Sequence, residues 1–169
     1  SGLLSDSERK ILNKSLEDTA GTYLDISEKQ GYGLPFTCDG PHSDCTDDGD
    51  NESLSAGYEH RSNVMVLNNA LIMAYANDIT GNREFLEGAN SAMNYLLGTN
   101  PFGISCITGY GSYCTRNPVH AFWANQADRW LPSPPDGVIV SGPSAALSDE
   151  LSLSMGLKYY PGIPSQRCY

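Results

Sequence analysis

The chain has 169 residues, 40% of them hydrophobic, and a formal net charge of −10 from 20 acidic against 10 Lys and Arg side chains. That content is enough for a globular core, whereas contact with a phosphate backbone needs clustered cations, so nucleic acid is not an expected partner. No apolar run reaches the ~20 residues that cross a bilayer, so no membrane is expected either.

From Asp6 to Gln30 the residues Leu12, Leu16, Ala20, Tyr23 and Leu24 recur every three or four positions with charges between them. This spacing predicts an amphipathic helix with Ser5 or Asp6 as its cap. Residues 31 to 61 lose that periodicity, hold five glycines and two prolines, and include the acidic run Asp47-Asp48-Gly49-Asp50-Asn51, which predicts a long loop. From Ser62 to Thr80 the chain is apolar on nearly every side, the pattern of a helix buried on more than one face, and Gly81 stops it. Asn82 is placed to cap the next helix, whose stripe is Phe85, Leu86, Ala89, Met93, Leu96 and Leu97, with Gly98 just past its end. Two helices joined by Gly-Asn make an antiparallel hairpin. Beyond Pro101 the reading is mostly loop, with a weak periodic segment near Ala145 to Leu157 and a short extended stretch at "GVIVSG". The fold class expected is all-α: antiparallel helical hairpins with long loops. Such a set leaves helix faces without partners, so residues 1 to 169 are read as a single fragment of a larger helical array.

The five cysteines fall into two close pairs, Cys38 with Cys45 and Cys106 with Cys114, and the leftover Cys168. In an acidic, Lys-poor chain this usage predicts secretion. The short separation of Cys106 and Cys114, with turn-forming glycines between them, predicts a disulfide if the chain is made in an oxidising compartment. No cofactor is expected. Cys38, His42 and Cys45 have zinc-ligand chemistry but lack an evident fourth ligand, so a disulfide or two free thiols is the competing reading. The acidic run at 47 to 51 is a solvated loop or a structural calcium site.

The segments "EKQGYGLPF", "VLNNALIMAYANDITGNREFLEGANSAMNYLLGTNP", "TGYG", "RNPVHAFWAN", "PPDGVIVSGPS" and the terminal "QRCY" follow one another in the order of glycoside hydrolase family 9. The chain resembles the last third of that catalytic domain over nearly its whole length. The resemblance implies a partial (α/α)6 barrel from an enzyme that cleaves β-1,4-glucosidic bonds in cellulose with inversion. It also implies a β-1,4-glucan or cello-oligosaccharide as ligand and the remainder of the parent catalytic domain as partner.

Inverting hydrolysis needs one carboxylic acid for the leaving oxygen and one carboxylate for water, ~6.5–9.5 Å apart. The family's aspartate pair matches no position here, since the run at 47 to 51 lies in the wrong part of the chain. Its general-acid glutamate follows the position of Tyr169. No catalytic residue is therefore assigned, and the chain is expected to be inactive alone.

In the family's Asn-Pro-His-His-Arg motif the first His and the Arg contact the sugar. This chain has Val119, His120 and Ala121 after Asn117-Pro118. Aligned without a gap, His120 matches the second His, and Val119 and Ala121 replace the first His and the Arg. A one-residue shift instead sets His120 on the contacting His and Phe122 in place of the Arg, and in both the cationic arm is gone. His120 is either a substrate contact or a loop histidine bonded to backbone. Trp123 and Trp130 offer indole faces for the apolar face of glucose, or wedge their loop onto the barrel. Tyr110 and Tyr113 are weaker candidates of the same kind. Asp149 and Glu150 fit a helix start, where carboxylates favour the dipole. The alternative functions are a carbohydrate-binding remnant without catalysis and a small metal-stabilised module.

Overall fold

The computed structural model describes residues 4–35, 62–118, 120, 122–125 and 128–142. Outside these lie Cys38, His42, Cys45, the acidic run at 47 to 51, Val119, Ala121, the 145 to 157 segment with Asp149 and Glu150, and Cys168. The chain divides into two compact units, one from residues 1–36 and 65–95 and the other from 37–64 and 96–169.

Helix α1 is Asp6–Lys29. Its cap is Ser5, one of the two residues expected: the Glu8 N–H donates to Ser5 Oγ at 3.4 Å, and the Ser5 N–H donates back to Glu8 Oε2 at 2.7 Å. This reciprocal box satisfies donors that the first turn leaves open. The Ser5 hydroxyl, and then its backbone N–H, hold the Glu8 carboxyl below the usual carboxylate range. The apolar stripe is only half used. Ala20 and Ser27 are buried, whereas Ile11 and Leu12 in the first half stay exposed.

After α1 the chain makes a tight turn at Gly31–Gly33, with Tyr32 at φ 65° and Gly33 at φ 62°. A Cβ on Gly33 would stand 2.9 Å from Ser91 Cβ, so this turn lies directly on the third helix. The buried Asn69 side chain donates to the Pro35 carbonyl at 2.7 Å and fastens the exit of the turn to the second helix.

Helix α2 is Ser62–Thr80 and α3 is Arg83–Leu97. Between them Gly81, at φ 73°, takes up the left-handed turn, and Asn82 Oδ1 accepts from the Glu84 N–H at 3.1 Å, as its capping position predicts. Val66, Ala70, Met73 and Ala76 of α2 and Phe85, Ala89, Ala92 and Tyr95 of α3 are buried core residues of the first unit. The joint is tight at Gly88, where a Cβ would lie 2.9 Å from Met73 Sδ and 3.0 Å from Leu24 Cδ1, so residues of all three helices meet there. Met73 has no exposed surface, and burying such a side chain contributes about 1.5–3 kcal/mol.

Two expectations need correction. Helix α2 buries one face, not several: Met65, Leu71, Tyr75 and Ile79 are exposed. The C-terminal half of α1 and the 15 residues of α3 cover one side of a helix, and among the described residues nothing covers the other. Leu86 of the α3 stripe is exposed as well, while Ala92 and Tyr95 take buried places.

Candidate functional site

The second unit holds the loops that follow α3. Gly98, at φ 125°, ends the helix, and Asn100 then turns the chain. Its Oδ1 accepts the N–H groups of Phe102 at 3.2 Å and Ile104 at 3.4 Å, while its Nδ2 donates to the Ile104 carbonyl at 2.8 Å. The Cys106 N–H donates to the Leu96 carbonyl at 2.8 Å, so the returning segment is anchored on the last turn of α3.

Residues 105 to 108 form the middle of a small extended layer. On one edge the Ser105 N–H donates to Tyr113 O and the Thr115 N–H to Ser105 O, both at 2.9 Å. On the other edge Val140 N–H donates to Cys106 O at 2.9 Å, Thr108 N–H to Val138 O at 2.9 Å and Gly137 N–H to Thr108 O at 2.7 Å. Successive residues thus bond to opposite edges, as extended backbone does. Ser105 pairs with Cys114 and Ile107 with Ile139, so the expected extended stretch at "GVIVSG" is confined to an isolated bridge.

The layer is fixed to the start of α2. Asn63, buried, donates through its N–H to Ser141 O and through Nδ2 to Val140 O, each at 3.1 Å. These bonds use donors that a helix start leaves without partners. Gly142, at φ 99°, passes so close that a Cβ would overlap Ser62 and Asn63.

Cys106 and Cys114, expected to bridge, are free thiols in the structure. The pairing explains why: Ser105 stands opposite Cys114, so the neighbouring Cys106 points to the other face of the layer. Burial pushes the Cys106 thiol up, and a hydrogen bond with the Asn63 side chain opposes that shift.

The structure brings two of the sequence-selected residues together. The His120 and Trp123 rings stack with centroids 4.4 Å apart and planes 23° from parallel. The Phe122 N–H donates to His120 Nδ1 at 3.1 Å. With Nδ1 accepting, the neutral imidazole carries its proton on Nε2. His120 is exposed, so that N–H is a donor available to a sugar hydroxyl. The two readings of His120 are therefore compatible, because one ring nitrogen holds the backbone and the other is left for a ligand.

Tyr110 and Trp130 are placed separately. Tyr110 follows the turn at Gly109, and Trp130, 94% exposed, follows Asp128, whose Oδ1 accepts the Trp130 N–H at 3.0 Å. Neither is in ring contact with the His120 and Trp123 pair among the described residues. Phe122, exposed beside that pair, and the buried Thr108 were not offered as contact residues from sequence. For Thr108 the signal was present in Thr-Gly-Tyr-Gly, a small hydroxyl residue entering a turn.

The family description that matches the sequence is "Glycosyl hydrolase family 9", over residues 5–169. The chain is 34% identical over 168 residues to a cellulose 1,4-beta-cellobiosidase of Acetivibrio thermocellus, covering 99% of this chain and 17% of that protein. Endoglucanase C of Cellulomonas fimi is 28% identical over 134 residues, covering 79% of this chain and 11% of that one. A thermostable endoglucanase from Alicyclobacillus acidocaldarius superposes with a TM-score of 0.66 at 25% identity, covering 98% of this chain and 27% of its own. The fold is accordingly all-α, antiparallel helical hairpins of a partial (α/α)6 barrel, and the chain spans only a small part of the length of these relatives.

Proposed function

The chain belongs to glycosyl hydrolase family 9, and on that premise we propose that it supplies a sugar-contacting wall of a β-1,4-glucan hydrolase, with residues 103 to 142 as the contact surface. The observation that carries this reading is the stacked His120 and Trp123 pair, which offers a flat aromatic body and an exposed imidazole whose Nδ1 is held by backbone and whose second nitrogen can donate. A pyranose asks for that combination, because its C–H face is apolar and its rim is hydroxyl. Exposed Tyr110, Tyr113, Phe122 and Trp130 add aromatic surface within the same unit.

The ligand is a cello-oligosaccharide or glucan chain, the partner is the remainder of the catalytic domain, and the setting is extracellular. The residues of this chain bind rather than cleave. Inversion needs an acid and a base on opposite sides of the scissile bond, and no position here matches either carboxylate of the family. A stacked imidazole and indole cannot replace them. The same surface supports a second reading, glucan binding without any catalytic partner, which differs only in what surrounds the chain.

The test uses the 169-residue chain with insoluble cellulose and with soluble carboxymethyl-cellulose. The parent chain is expected to be retained on cellulose, and His120→Ala or Trp123→Ala to weaken retention about threefold to tenfold, the loss of one ligand hydrogen bond or one stacking face. Reducing-sugar release from the soluble polymer is expected to stay at the level of a heat-killed control. Retention unaffected by both substitutions overturns the assignment of the wall, and release above control overturns the absence of catalysis.

A further inference from the structure

We infer that Thr108 is the positioning residue of this loop: it holds the turn from 135 to 138 against the segment that carries Tyr110, and so sets where the Tyr110 ring and the Asp136 carboxylate stand. The sugar in this inference rests on the glucan-binding reading above, and the geometry rests on hydrogen bonds alone.

Thr108 is buried and spends its whole polar inventory on one turn. Its hydroxyl donates to the Pro135 carbonyl at 2.6 Å and accepts the Val138 N–H at 2.9 Å. Its N–H donates to Val138 O at 2.9 Å, and its carbonyl accepts the Gly137 N–H at 2.7 Å. Pro134 and Pro135 have no N–H, so the turn has few bonds of its own to fasten it. The buried side chain is thus the one that orients two exposed ones.

The consequence for the ligand surface follows from the next two residues. Gly109, at φ 68°, lies so close to Asp136 that a Cβ there would overlap the carboxylate. The Tyr110 N–H donates to Ile107 O at 3.3 Å, which closes a turn with Thr108 inside it. A change in the seat of Thr108 therefore moves the base of Tyr110 and the distance to Asp136 together. A carboxylate acceptor against the residue that precedes an exposed tyrosine suits a sugar, with its hydroxyl rim and apolar C–H surface.

The experiment compares the 169-residue chain with Thr108→Val, which keeps the shape and removes the hydroxyl, and Thr108→Ser, which keeps the hydroxyl. By NMR, Thr108→Val is expected to displace the Tyr110 ring resonances and to speed exchange of the Gly137 and Val138 amides while those of α3 stay protected. Titration with cellotetraose is expected to show affinity about fivefold weaker, the effect of misplaced rather than deleted contacts. Thr108→Ser is expected to restore all three readings, which a bulk packing role does not predict.

Tyr110 resonances unmoved in Thr108→Val, failure of Thr108→Ser to rescue, or unchanged cellotetraose affinity with a displaced ring each overturns the inference. If the parent chain takes up no cellotetraose while Thr108→Val still displaces Tyr110, the glucan reading falls and the positioning role stands. A further measurement needs no variant. The parent chain is expected to show a slowly exchanging Thr108 hydroxyl proton with cross-peaks to Val138, and its absence counts against the role even if Thr108→Val does not fold.

Discussion

At Cys106 a local pairing overrides what spacing suggests. Eight positions separate it from Cys114 and glycines lie between them, yet the ladder sets Ser105 opposite Cys114 and turns the Cys106 thiol to the other side, beside Asn63. Burial raises that thiol above its ordinary value of 9.0. A raised thiol stays protonated in the folded chain at a pH where the unfolded chain has ionised. Its contribution to stability is therefore complete below about pH 9 and is lost as pH rises through the folded value. The expected outcome is that iodoacetamide at pH 8 alkylates Cys114 well before Cys106, since only the thiolate reacts. Mass spectrometry of a time course checks this, and equal rates at the two sites, or neither thiol reacting before reduction, contradicts the structure.

Among the elements, the joint of the first unit depends on a missing side chain. Gly88 sits inside α3, where glycine costs about 1 kcal/mol relative to alanine. The position is explained by Met73 Sδ and Leu24 Cδ1 standing where a Cβ would meet them. Gly88→Ala is expected to destabilise the chain by about 1 kcal/mol, with overpacking of ~1–3 kcal/mol outweighing the gain in helix propensity. Urea unfolding followed by circular dichroism measures it, and a stabilised variant shows that Met73 gives way and the joint is not close-packed. Helix α1 illustrates the opposite condition. Its capping box defines where it starts, but its first half lies exposed, so the cap organises a segment that packing leaves alone.

For the molecule as a whole, the proposed glucan wall lacks the cation that the family resemblance places there. In the ungapped match Ala121 stands where the resemblance places an arginine, and Val119 where it places a histidine. Restoring both with Val119→His and Ala121→Arg adds one charge-assisted and one neutral hydrogen bond to a sugar hydroxyl. The former is worth about 1.5–3 kcal/mol. Cellotetraose affinity by calorimetry is expected to rise at least tenfold, whereas reducing-sugar release stays at background because neither added group is a carboxylate. A rise in turnover in the double variant refutes the assignment of binding without cleavage to these residues.

The sequence by itself determined the three helices, their order and most of their ends. Those features depend on neighbours in the chain: Ser5 with Glu8, Asn82 with Glu84, Gly81 and Gly98 past their helices. It also determined the family, through motifs spread from 28 to 169, and it selected His120 and Trp123. What it did not disclose depends on residues far apart in the chain. Which face of α2 is covered, why Cys106 does not meet Cys114, and how Thr108 holds a turn nearly thirty residues away are results of tertiary packing. Periodicity reports that a residue is apolar or that a turn is near, and carries no record of which distant backbone group will accept a given hydrogen bond. Only the folded chain decides that, because satisfying one buried donor fixes the position of everything attached to its acceptor.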